Sequence, residues 1–206
     1  MRLQNPLTSV SPSLDMGVLY VLARADAEFT APQIFKLLPE RGSLAGVRKA
    51  LSRLTEQGVV VEGVAGRTHT YHLNREHLMA DAVVAMANAK TQLADRIRSE
   101  ISSWEFAPFT VKIFGSAARN EMRTDSDIDI FIALPNEADE DLVEERVAAL
   151  AMKISVWTGN DARPLVYREK EIQPAPIFDS IVQEGLDIAG QPGWLRQVLR
   201  SSRVTG

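Results

Sequence analysis

The chain has 206 residues, 45% of them hydrophobic and 24% charged, with a net charge of −4 and no cysteine. That length suits two small domains, the composition is that of a packed globular protein rather than a disordered one, and the lack of thiols excludes a disulfide framework, a thiolate zinc site and a cysteine nucleophile. Charge is unevenly spread: residues 1–74 carry eight Lys/Arg against six Asp/Glu and residues 75–206 fifteen against twenty-one, so a nucleic acid would meet the N-terminal part first.

Met1 to Pro6 has no apolar core of the signal-peptide kind, and no run approaches the roughly 20 apolar residues of a membrane span. A soluble, cytoplasmic protein without a membrane partner is expected. Ser11-Pro12 precedes a first helix from Ser13 to about Asp26, patterned by Leu14, Val18, Leu19, Val21 and Leu22. Thr30 caps a second helix, Ala31 to Leu38, and Pro39-Glu40-Arg41-Gly42 forms a turn. A third helix starts at Ser43, carries Leu44, Val47, Leu51 and Leu54 on one face and stops at Gly58. Two strand-like runs follow, Val59 to Gly63 and Arg67 to Leu73, separated by the turn residues Val64-Ala65-Gly66.

Three helices and a hairpin in this order resemble a winged helix-turn-helix domain over about residues 10–74, and the predicted domain is 1–74. The resemblance implies that the third helix enters a DNA major groove, with Arg48, Lys49, Ser52 and Arg53 on its polar face and Arg67 and His69 at the hairpin tip as contacts to double-stranded DNA. An exposed helix face is also charged simply because it is wet, and such domains also dock proteins. His69, His72 and His77 are close in sequence, but the first two fall on opposite strand faces and no acid has metal-like spacing, so no zinc site is expected.

Residues 75–104 read as a linking helical segment opened by Asn74, about 45 Å long if unbroken. A break near Ala87 to Lys90 is as compatible with the pattern as continuity. From Thr91 onward the segment has either the following sheet or a second copy of the chain, a homodimer, as its partner.

Thr110 to Leu134 holds residue types that folding alone does not explain. An apolar strand, Val111 to Phe114, stops at Gly115-Ser116 and passes into the small-residue helical start Ala117-Ala118-Arg119. Such a start offers free N–H groups to an anion; Ser116 adds a hydroxyl, and Arg119 could neutralise a phosphate. Eleven residues after Ser116 begins Asp127-Ile128-Asp129-Ile130-Phe131-Ile132, in which strand alternation puts the two aspartates on one face and the isoleucines on the other. Two like charges at this spacing conflict unless a hard divalent cation is shared between them; oxygen-only ligands favour Mg²⁺ or Mn²⁺, which complete their shell with water and phosphate oxygens.

Gly115-Ser116 followed by Ser126-Asp127-Ile128-Asp129-Ile130 resembles the signature of the DNA polymerase β-like nucleotidyltransferase superfamily in its minimal, MNT-type form. The resemblance implies an α/β (α+β) fold with a small mixed sheet over residues 105–206. It also implies an NTP held by Gly115, Ser116, Arg119 and Ser126, and metals on the catalytic pair Asp127 and Asp129. The minimal members include toxin–antitoxin components.

Beyond the second strand, Glu137 to Trp157 is expected to be a helix, Ala162 to Tyr167 a strand that Pro164 pushes to an edge, and Ile177 to Glu184 and Trp194 to about Arg200 further helices separated by a turn at Gly185 to Gly190. Members of this superfamily usually carry a third carboxylate on the strand after the long helix, yet residues 162–167 have none. Asp161 is the candidate third metal ligand. Arg163, on the same strand face, is a candidate to neutralise phosphate instead. The expected function is metal-dependent transfer of NMP from an NTP to an unknown acceptor, coupled to a DNA-binding winged helix; the alternative is a non-catalytic, nucleotide-responsive transcription regulator or a toxin–antitoxin component.

Overall fold

The computed structural model describes residues 1–40 and 42–204; Arg41, in the turn expected after the second helix, lies outside them. The chain forms two compact units, one of residues 4–90 and one of residues 1–3 and 91–206.

In the first unit, α1 (Leu14–Ala23), α2 (Ala31–Leu37) and α3 (Leu44–Glu56) precede a hairpin of β1 (Val60–Ala65) and β2 (Thr68–Leu73). Each helix starts where a hydroxyl can satisfy an orphan N–H: Ser13 and Ser43 accept from Met16 and Gly46, and Thr30 and Gln33 form a reciprocal capping box. Val47, Ala50 and Leu51 put one stripe of α3 into a core shared with Val18, Leu22, Ile34, Val60 and Leu73. The hairpin closes tighter than the pattern suggests, pairing Ala65 with Thr68 around Gly66, whose φ of 64° suits glycine.

No single helix spans residues 75–104. The first turn after Asn74 is irregular, α4 (Ala80–Ala87) packs Val83 and Ala87 into the first unit's core, and α5 (Ala89–Ile101) belongs to the second. The division between units therefore falls inside the stretch, at the interruption around Asn88, rather than at residues 74 and 104. The physical reason is that the apolar residues on the two sides of Asn88 serve different cores.

The second unit contains β3 (Thr110–Phe114), α6 (Gly115–Arg119), β4 (Ile128–Leu134), α7 (Glu140–Thr158), β5 (Ala162–Arg168), α8 (Pro176–Glu184), β6 (Leu186–Gly190) and α9 (Trp194–Val204). Its sheet has the order β5-β4-β3-β6; only the β4–β5 pair is parallel. Residues Gly185 to Gly190, read as a turn, are in fact largely the edge strand β6 paired with β3. Five residues bounded by glycines carry too weak an alternation to be recognised without the partner strand.

Strand alternation sorts β4 between two layers. Ile128, Ile130 and Ile132 are completely buried against α5 and α7, with Leu93, Ile97, Leu150 and Ile154; Phe131 and Ala133 face the opposite layer, with Phe178, Ile181, Trp194 and Leu195 of α8 and α9. Each buried isoleucine contributes about 1.5–3 kcal/mol, and a one-residue slip would exchange them for Asp129. This register fixes which way Asp129 faces. Among the described residues no helix is long and apolar enough to cross a membrane.

Candidate active site

The end of β3 and the start of β4 meet at one corner of the sheet, where Phe114 pairs with Asp129 and the chain turns at once into α6. Gly115 makes that corner with φ at 67°, and a Cβ there would stand 2.5 Å from Asp129 Oδ2. Glycine is therefore required twice, for the backbone conformation and for the close approach of the carboxylate. α6 is a single short turn, closed by Asn120 in the left-handed region with φ of 61°. Ser116 is half-buried on this turn, its carbonyl accepting from the Glu121 N–H at 2.9 Å.

Asp127 lies one residue before β4, and its Oδ2 is 2.8 Å from Arg163 Nη2 on β5. Arg163 is in turn the register partner of Asp129 across the parallel β4–β5 pair. Burial pushes the Asp129 carboxyl above its ordinary value and the Asp127 charge adds to that rise, while Arg163 and Arg119 oppose it. The corner thus holds two carboxylates and two guanidinium groups close enough to influence one another.

The two arginines differ. Arg119 is clamped by Glu121 Oε2 at 2.8 Å and Glu184 Oε2 at 2.7 Å, which drive its pKa still higher. These contacts tie α6 to the end of α8. Arg163 has a side chain 69% exposed. A third cation on this sheet face, Lys112, is buried and pairs with Asp187 Oδ1 at 2.6 Å.

The loop carrying Asp127 is pinned from both sides. Ser126 Oγ accepts the Arg123 N–H at 2.8 Å, its carbonyl accepts from Asn160 Nδ2 at 2.8 Å, and the Ile128 N–H donates to the Asp161 carbonyl at 2.8 Å. The Ser126 hydroxyl thus closes the loop. Asn160, nearly fully buried, was not singled out by the sequence because an isolated asparagine after a helix looks like an ordinary turn residue. Asp161 engages through its backbone and is exposed. Among the described residues no three acidic or histidine side chains gather in a metal-binding group, so Asp161 does not complete a three-carboxylate set with Asp127 and Asp129. Two same-facing carboxylates, one driven toward its neutral form by burial, do fit one hard divalent cation whose other ligands are water and phosphate oxygens.

In the first unit, Arg48, Lys49 and Ser52 are exposed on α3 and Arg67 is exposed in the hairpin turn. Arg53, also on that face, donates to Asp15 of α1 at 2.6 and 3.3 Å, and Ser52 Oγ to Glu56 at 3.3 Å. At the hairpin, His69 Nδ1 is 2.7 Å from Glu62.

Residues 94–184, from α5 through α8, match the family model of the nucleotidyltransferase domain. No curated protein matches the chain. Solved structures similar to it include a toxin–antitoxin complex with AMP-PNP, at 16% identity and a TM-score of 0.41, covering 54% of this chain and 85% of that one. A tri-AMPylated HEPN toxin of Shewanella oneidensis in complex with MNT antitoxin gives 15% identity and a TM-score of 0.40, over 56% and 85% of the two chains. A Sulfolobus solfataricus protein solved as a candidate nucleotidyltransferase gives 22% identity and a TM-score of 0.30, over 50% and 86% of the two chains.

Proposed function

We propose that the second unit is a cytoplasmic nucleotidyltransferase that moves a nucleoside monophosphate from an NTP to an acceptor hydroxyl, and that the first unit is a winged helix that binds double-stranded DNA. The observation that carries the first part is the corner at Gly115, where the absence of a side chain lets a half-buried carboxylate, Asp129, lie against the turn that opens α6. Folding stability does not call for that arrangement. A site that must bring a carboxylate, a cation and phosphates together does.

In this reading Asp127 and Asp129 hold a divalent cation, Mg²⁺ or Mn²⁺, which when bound polarises phosphoryl oxygens and offsets the charge that develops on them. The Gly115 and Ser116 N–H groups, with the Ser116 hydroxyl, orient the triphosphate. Ser126 keeps the Asp127 loop in place through its bond to Arg123, and Arg119 anchors α6 through Glu184. The acceptor oxygen bonds to the α-phosphorus, the bond to the β-phosphate bridging oxygen breaks, and pyrophosphate and a proton leave. A nucleic-acid end, a protein side chain or a small molecule would serve as the acceptor.

The test is incubation of the full chain with labelled NTPs, Mg²⁺ and cell extract. Asp127→Asn and Asp129→Asn should each remove labelled product by at least about 100-fold, the loss typical of removing a charge-stabilising group. Unchanged labelling by either variant rejects the assignment.

A second reading is favoured by Arg163, which pairs with Asp127 on the strand where a third carboxylate would be sought. In it the unit binds nucleotide without transferring it and the protein regulates transcription. A gel shift on DNA from upstream of its own coding region, with and without ATP, separates the readings. Nucleotide-sensitive, salt-sensitive binding together with no labelling supports the regulator.

A further inference from the structure

Three cations stand on the sheet face that carries Asp129, and their commitments differ. Lys112 is buried and paired with Asp187, Arg119 is held between Glu121 and Glu184, and Arg163 is exposed and, among the described residues, paired with Asp127. The last is the most exposed of the three, 69% of its side chain against 38% for Arg119 and 6% for Lys112, and so can exchange its partner for a ligand with the least rearrangement. Its position is equally specific: Arg163 is the register partner of Asp129 on β5, the place from which a third acid would reach the pair, and no third acid joins the two aspartates among the described residues.

We propose that this centre takes one divalent cation per bound nucleotide and that Arg163, released from Asp127 when the cation binds there, supplies to the triphosphate the positive charge that a second cation would otherwise bring. The inference rests on the nucleotide-binding reading above. Two cations about 3.5–4 Å apart share carboxylates and draw on further oxygen ligands, and among the described residues no third carboxylate joins Asp127 and Asp129 to serve the second one. A guanidinium needs no ligands. Its planar fork matches phosphate oxygens with two parallel hydrogen bonds, and it stays charged at every pH the protein meets. The same residue also acts before nucleotide arrives: by pairing with Asp127 it offsets part of the repulsion between the carboxylates, so the cation has to compete with the guanidinium for Asp127.

Both roles can be measured on the full chain by calorimetry and by electron paramagnetic resonance of Mn²⁺, using nonhydrolysable analogues of the four common NTPs. One Mn²⁺ per bound nucleotide is expected. Arg163→Ala should weaken nucleotide binding in the presence of Mn²⁺ about tenfold or more, the loss of one charge-assisted phosphate contact, and should tighten Mn²⁺ binding in the absence of nucleotide. Arg163→Lys should fall between Ala and wild type in both measurements. Two Mn²⁺ per nucleotide, or Arg163→Ala binding nucleotide like wild type, overturns the inference and leaves the transferase reading standing. Failure of the wild-type protein to bind any of the four analogues overturns both. Should Arg163→Ala not fold, as judged by circular dichroism and thermal unfolding, the Mn²⁺ count on wild type and the lysine variant still decide.

Discussion

The first unit displays its positive charges in solvent, with Arg48 and Lys49 on the outward face of α3 and Arg67 in the hairpin turn. The second holds charges against the pull of burial: Lys112 is only 5% exposed, Asp129 is half-buried against a glycine, and Asp127 is paired with Arg163. A wet cation costs the fold almost nothing and says little about why it is there. A carboxylate kept in a half-buried corner opposes stability, so its presence points to work done by the site.

The sharpest way to break this comparison is Gly115→Ala. The added methyl group meets Asp129 Oδ2 and forces a left-handed backbone conformation on a residue with a Cβ, at a cost of about 1–2 kcal/mol from the backbone alone. Urea unfolding should report that loss, and NTP labelling should disappear with it. An alanine variant as stable and active as wild type would mean that the corner is not built around the carboxylate.

Next comes the pH dependence of Asp129. Its folded-state pKa is raised, first by burial and then by Asp127, so the folded protein retains this proton to higher pH than the unfolded chain. The stability it contributes is fully present below the ordinary aspartate value of about 3.9 and is lost as pH rises through the raised folded-state value. Asp129→Asn removes that dependence. Relative to wild type the variant should therefore gain stability as pH is raised from about 4 to 7, measured by urea unfolding at each pH. A constant difference would show that the corner does not penalise the charge.

The smallest effects belong to α3. Arg48→Ala and Lys49→Ala should leave thermal unfolding unchanged, while each lowers the salt slope of DNA binding by roughly one if it contacts a phosphate. Arg53 sharpens the comparison further, because it is already engaged with Asp15. Its alanine variant should change the salt slope less than either neighbour does. Equal slopes for all three would place Arg53 on the DNA despite that ion pair.

Within the second unit, what could be read early was whatever depends on one strand at a time. The alternation of Asp127-Ile128-Asp129-Ile130 already separates acids from core, and Pro164 already points β5 to a sheet edge, where it lies. The helix after β4 starts at Glu140 behind an Asp139 cap, slightly later than the apolar pattern alone suggests. β6 escaped because its identity as a strand comes from pairing with β3. Lys112 and Asn160 escaped because a lone lysine in a strand and a lone asparagine after a helix carry no periodic signal; only their burial makes them notable.

The sequence by itself determined local matters: the caps of α1, α2 and α3, the core-facing stripes, the glycine at the β3–α6 corner and the acidic face of β4. These follow from propensities and spacings that act over a few residues. Tertiary structure alone decided that the helical stretch after residue 74 divides between two cores and that Arg119 is clamped by Glu121 and Glu184. It also decided that Arg163, rather than another acid, stands beside Asp127. Those outcomes depend on which strands pair and which helix ends meet, a contest between distant residues whose energies no local pattern encodes.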